Sequence, residues 1–249
     1  MKTDQDMYIP DNQGEEEEYE GPEMTLTEHL AELRSRLIRA GLGVVVGMVI
    51  SFLFVQHIVQ ALLELIKPHT PLATGITEKF TTYMKVAFIG GIAIAMPLIV
   101  YQLIAFISPG LTKRERRFVL RALPFVTLLF VTGVIFGYFI VLPTALRFLL
   151  GFGSEDIATM PRFADYIGFV SNLLLWVGLS FETPVIVYVL IKANIVSVQR
   201  LTKLRKYAFV VILIAAAIIT PTPDPMNMMI VATPMYLLYE LGILMGRIW

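Results

Sequence analysis

The chain has 249 residues, with 20 Lys+Arg against 20 Asp+Glu, no Cys, 56% hydrophobic residues and 16% charged ones, and a mean hydropathy of +0.71. Soluble domains run about 45–50% apolar and about a quarter charged, so a soluble enzyme and an ordinary nucleic-acid-binding domain are excluded. The zero net charge hides two opposed parts: residues 1–23 hold nine acids and one base, and the rest holds 19 bases and 11 acids.

Residues 1–23, acidic and punctuated by Pro10, Gly14, Gly21 and Pro22, read as a disordered, solubilising tail. Residues 24–249 read as one membrane domain. Thr25-Leu26-Thr27-Glu28 has the spacing of a capping box. Leu26, Leu30, Leu33 and Leu37 then recur at helical spacing, with Glu32 and Arg36 paired at i,i+4 on the polar side. An amphipathic helix over 25–39 is expected, lying at the membrane interface and running into the first span.

Charge-free runs locate the spans, since a charge at the bilayer centre is costly and about 20 apolar residues cross the hydrocarbon. Residues 40–63, 86–112 and 122–146 run 24, 27 and 25 residues without a charge. Residues 166–181 and 183–191 flank Glu182, which predicts a fourth span around one buried acid. Residues 207–223 and 225–239 give 17 and 15 more, a pair of short spans that thin the membrane locally. The expectation is an all-α, polytopic protein of six transmembrane helices. Bases number 15 in the N-terminal segment, the loops after spans two and four and the C-terminus, against five elsewhere, so both termini are placed in the cytoplasm.

The candidates for chemistry are few. His29, His57 and His69 lack metal-ligand spacing, and neither a phosphate-binding glycine loop nor a protease constellation is present. No cofactor and no metal is expected, and the work of the chain is binding or transport. Glu182 is functional by default as an intramembrane acid, or else a carboxyl hydrogen-bonded to Asn172 or Gln102. Pro97, Pro143, Pro184 and Pro234 interrupt the spans, so kinked helices can shape a concave, partly wet cavity around it. A proton-coupled small-solute transporter suits Glu182 and the broken helices, but it calls for similar halves, and no internal repeat is evident.

One set of motifs runs the length of the chain. It begins with His29-Leu30-x-Glu32-Leu33-Arg34-x-Arg36-Leu37, then Phe80-x-x-Tyr83-x-Lys85, Gly90-Gly91 and Pro97. Tyr101-Gln102-x-x-x-Phe106-Ile107-x-Pro109-Gly110-Leu111 follows, closed by Glu115-Arg116-Arg117. Phe136-x-Tyr138-Phe139-x-x-x-Pro143, Gly178-x-x-Phe181-Glu182-x-Pro184, Arg205-Lys206-Tyr207, Thr220-Pro221-x-Pro223-Asp224, Pro234 and Leu238-Tyr239-Glu240 complete it. In order and spacing, from Leu26 to about Gly246, the chain resembles the TatC family, the C subunit of the twin-arginine protein translocase.

The resemblance implies a glove-shaped, six-helix core with both termini in the cytoplasm, set in the cytoplasmic (inner) membrane. It implies a translocase that binds twin-arginine signal peptides of folded precursors and assembles single-span partner subunits, using the proton-motive force. Homo- and hetero-oligomers are expected in the lipid bilayer, and no nucleic acid. The family's signal-binding residues correspond to Glu32, Phe106 and Glu115, flanked by Arg116 and Arg117. Its polar and partner-contact positions correspond to Glu182, Gln102, Asp224 and the loop proline Pro68. The Pro-Pro-Asp and Ser-Gln pattern of many members is here Pro221-Thr222-Pro223-Asp224 and Asn227-Met228, with Asn227 the available substitute.

Carboxylates suit paired arginines, because guanidinium and carboxylate form bidentate, charge-assisted bonds. Each candidate also has a structural reading. Glu115 completes a capping-box spacing with Thr112, Glu32 pairs with Arg36, and Asp224, between Pro223 and Pro225, serves a turn as well as a partner.

Overall fold

The structure, a computed structural model, describes residues 25–107, 123–151, 160–192, 195–220 and 224–248. The acidic tail and the loop bearing Glu115, Arg116 and Arg117 lie outside the described residues.

Helix α1, Leu26–Glu64, is one continuous helix of 39 residues. Its start follows from the capping box: the Thr25 hydroxyl accepts from the Glu28 N–H at 3.3 Å, and the Thr25 N–H donates to Glu28 Oε2 at 2.9 Å. Two N–H groups left over at the helix start are thereby satisfied. Leu30, Leu33 and Leu37 are exposed on its surface. The loop that follows returns the chain into α2, Glu78–Ile107, a 30-residue helix that runs through Pro97.

The α1–α2 pair packs closely because glycines face each other. A Cβ on Gly47 would lie 2.5 Å from the Gly91 carbonyl oxygen, and one on Gly91 would lie 2.5 Å from the Met48 backbone nitrogen. Small residues of this kind let membrane helices approach backbone to backbone.

The third span is α3, Leu123–Phe136, a π-helical turn at Gly137–Val141, and α4, Leu142–Gly151. The π turn sits just before Pro143, which has no N–H and whose ring crowds the carbonyl four residues back. The fourth span is α5, Phe163–Ser180, and α6, Thr183–Lys192, broken at Phe181–Glu182. α3 crosses α5 where Gly133 meets Gly178 and Phe181.

A short helix α7, Val198–Lys203, leads into α8, Arg205–Ile219, and α9, Pro225–Ile248. Five helical runs are long and apolar enough to cross a membrane. α8 has 15 residues and is short, as expected. The second short span is corrected: α9 runs 24 residues, continuing through Glu240. The reason is that Glu240 is neutralised in place, 2.6 Å from Arg205 Nη2 and accepting from the Tyr236 hydroxyl at 3.1 Å. The chain is thus an all-α, multi-pass membrane protein, and among the described residues the only extended pairing is a single bridge, Leu72 with Arg162.

That bridge belongs to one end of the molecule. The Leu72 N–H donates to the Pro161 carbonyl at 3.1 Å, and the Phe163 N–H to the Leu72 carbonyl at 2.9 Å. At the same end the Tyr138 and Tyr166 hydroxyls donate to the Ala61 and Leu62 carbonyls, at 2.9 and 2.5 Å. These carbonyls are in the last turn of α1, where helix geometry leaves them without partners. The start of α1, the end of α2, α7 and the end of α9 lie at the opposite end. The main core sits between them, around Val59, Leu62, Ile66, Leu142, Ile167 and Leu173.

Candidate functional site

Where α1 begins and α2 ends, three of the motif residues meet. The His29 ring stacks on Phe106 with centroids 4.3 Å apart and planes 17° from parallel. One turn along α1, Glu32 Oε1 accepts from Arg36 Nε at 2.8 Å and also from Arg36 Nη2. The structural pairing with Arg36 is therefore present. It uses only one oxygen: Glu32 Oε2 is buried, has no hydrogen-bond partner among the described residues, and lies 3.9 Å from His29 Nδ1.

This geometry has a definite chemistry. A carboxylate oxygen with open acceptor capacity, beside an aromatic pair, suits a guanidinium that can bond in its plane and stack on its face. The arrangement requires the helices to be in register, since Glu32 belongs to α1 and Phe106 to α2. Glu115, Arg116 and Arg117 lie outside the described residues.

Gln102 is one turn before Phe106 and buried at 7% exposure, and its Oε1 has no partner among the described residues. Glu182 falls in the break between α5 and α6, where its carbonyl accepts from the Val185 and Ile186 N–H groups at 3.0 and 3.1 Å and so starts α6. Its side chain is 1% exposed, and both carboxylate oxygens lack a partner among the described residues. The hydrogen bonds anticipated from Asn172 or Gln102 are not formed; Asn172 is exposed.

A cavity of about 290 Å³ opens among α1, α2, α3 and α5, and its polar groups are the buried hydroxyls of Ser51 and Ser171, which have no partner among the described residues. Glu182 is not among its lining residues.

Asp224 takes the turn role. Its Oδ1 and Oδ2 accept from the Met226 and Asn227 N–H groups, each at 3.1 Å, ahead of Pro225 at the first position of α9. Proline is favoured there because its missing N–H would have no partner in any case. Asn227 is 2% exposed, and its Nδ2 has no partner among the described residues. Pro68 is exposed in the loop after α1, joined to Lys67 by a cis peptide.

Sequence reasoning passed over Glu78. At 6% exposure its carboxylate accepts from the Thr74 and Gly75 N–H groups at 2.8 and 2.9 Å and from the Ala164 N–H at 3.0 Å. Arg162 Nε is 3.5 Å away. One side chain thus ties the α1–α2 loop, the start of α2 and the start of α5. The local signal was the acid itself, closely following Thr74 and Gly75 in a loop; its partner 86 residues on had none.

The family model described as Sec-independent protein translocase protein (TatC) matches residues 28–234. The Sec-independent protein translocase protein TatC of Carboxydothermus hydrogenoformans is 41% identical over 229 residues, covering 90% of this chain and 93% of the relative. That of Desulforapulum autotrophicum is 39% identical over 228 residues, covering 90% and 84%. Among solved structures, the crystal structure of a twin-arginine translocase receptor, TatC, in DDM aligns with a TM-score of 0.77 at 37% identity, covering 88% of this chain and 99% of that one. By sequence over most of its length and by fold, this chain belongs to the TatC family of Sec-independent protein translocase proteins.

Proposed function

We propose that this translocase subunit recognises twin-arginine signal peptides of folded precursors where α1 begins and α2 ends. Glu32 and Glu115 receive the arginines, Phe106 packs against them, and Arg116 and Arg117 flank the site. The supporting observation is the unpartnered Glu32 oxygen beside the His29–Phe106 stack.

This end of the molecule faces the cytoplasm in the proposal. The excess of bases in the segments that meet there favours it. The six helical passages cross the cytoplasmic (inner) membrane with both termini inside, the short α8 being the fifth and α9 the sixth. At about 1.5 Å per residue the 15 residues of α8 reach roughly 22 Å against a hydrocarbon core of about 30 Å. Single-span partner subunits and further copies of the chain then assemble around the core. Glu182, Gln102, Asp224 and Pro68 are the proposed contact positions, and the proton-motive force drives export. Buried polar groups without partners among the described residues, as at Glu182 and Gln102, favour a role in which a partner supplies the missing bonds.

The test is photocrosslinking and binding of a labelled twin-arginine peptide to the full chain. Glu115→Lys is expected to abolish binding, and Glu32→Gln to weaken it about tenfold or more and flatten its salt dependence. Assembly with partner subunits survives both changes. Unaltered binding by Glu115→Lys makes Glu115 a helix cap and moves the site elsewhere.

A further inference from the structure

Two hollows meet at the end of the molecule that holds α7 and the end of α9, and they share Arg247. One, of about 520 Å³, lies between the helices and is lined by polar Gln199, Thr202, Lys203 and Arg247 with Val198 and Gly246. The other, of about 310 Å³, runs from Arg247 and Arg205 down α9 past Leu237, Leu241 and Leu244. Those three leucines recur at helical spacing and are exposed, so the groove has a continuous apolar wall.

The charges at this end divide into paired and unpaired. Arg205 is bonded to Glu240, and Tyr236 also donates to that acid, so Glu240 is already engaged within the second hollow. Lys203 and Arg247 are exposed, and neither has an ion-pair partner among the described residues. Two cations without an ion-pair partner among the described residues therefore border a hollow that shares Arg247 with a leucine-walled groove in a membrane protein. That is the shape and charge of a phospholipid turned inside out: phosphate at one end, hydrocarbon at the other.

We infer that this end of α7 and α9 binds an anionic phospholipid, its headgroup phosphate held by Lys203 and Arg247 and an acyl chain laid along Leu237, Leu241 and Leu244. Gln199 supplies an amide donor on the same rim. The two cations sit in the last turns of their helices, where their stems can lie along apolar surface while the heads reach the phosphate level. The inference rests on membrane residence and on this geometry, not on the signal-peptide reading.

The test is lipid titration of the purified full chain in detergent, read by native mass spectrometry. Dioleoylphosphatidylglycerol is expected to bind roughly tenfold or more tightly than dioleoylphosphatidylcholine. Lys203→Gln with Arg247→Gln removes that preference, whereas Lys67→Gln with Lys79→Gln, which removes two charges at the opposite end, keeps it. The charge-conserving pair Lys203→Arg with Arg247→Lys also keeps it, which separates charge recognition from damage to the fold. Leu241→Ser weakens both lipids, because it wets the acyl groove. Equal binding of the two lipids, or an unchanged preference in the glutamine pair, overturns the site. Displacement of the phosphatidylglycerol by millimolar inorganic phosphate identifies a free-anion hollow and overturns the lipid assignment.

Discussion

Glu78 and Glu182 are both nearly excluded from solvent, at 6% and 1% exposure, and their carboxylates meet opposite surroundings. Glu78 accepts three backbone N–H bonds and faces Arg162. A glutamine there keeps one acceptor oxygen and points a donor at N–H groups, so Glu78→Gln is expected to lower the melting temperature of the purified protein by a few degrees, with Glu78→Ala worse. Glu182 has no partner for either oxygen among the described residues. Removing a buried group whose hydrogen bonds are unmade costs little, so Glu182→Leu is expected to leave thermal stability equal or higher. Export of a folded twin-arginine precursor nevertheless falls in Glu182→Leu, and falls less in Glu182→Gln, with peptide binding intact in both. Full export by both variants reduces Glu182 to a tolerated polar residue.

At the scale of the element, the determining contacts are close approaches between helices. Gly91 lies against the Met48 backbone, whereas a Cβ built on Gly41, on the same α1 as Met48, meets no other helix within 4 Å among the described residues. Gly91→Val is therefore expected to destabilise the α1–α2 pair by about 1–3 kcal/mol in denaturant titrations, with Gly41→Ala neutral or stabilising. Comparable losses at both positions would remove the close-packing account. The tyrosines at the end of α1 are a second such device. Tyr166→Phe deprives the Leu62 carbonyl of a buried donor, and about 1 kcal/mol of stability is expected to go with it. The legible part at this scale was local. Thr25 with Glu28 and Asp224 before Pro225 were open to reading because a cap and its partners lie within three residues of each other. The continuation of α9 past Glu240 was not, since it depends on Arg205 beside that acid.

For the whole molecule the test is topology. The chain has no Cys, so single cysteines report cleanly. In right-side-out membranes Ser197→Cys is expected to react only after the membrane is permeabilised, and Ala73→Cys to react from outside, both positions being exposed and at opposite ends. The reverse pattern inverts the proposed orientation and places the Glu32 site outside the cell.

Sequence alone determined which segments are helical and apolar, where α1 and α9 start, the charge bias between the loops and the order of the family's motifs. These are properties of windows of about 20 residues or fewer, where helix capping and transfer into hydrocarbon are decided. Only the tertiary structure decided that His29 stacks on Phe106, that Glu78 reaches Ala164, that Arg205 holds Glu240 inside α9, and that Glu182 lies sealed away from the cavity beside Ser51 and Ser171. Such partners are set by how long apolar helices pack against one another, through glycine contacts and broken turns. A side chain's own neighbours in sequence do not carry that information.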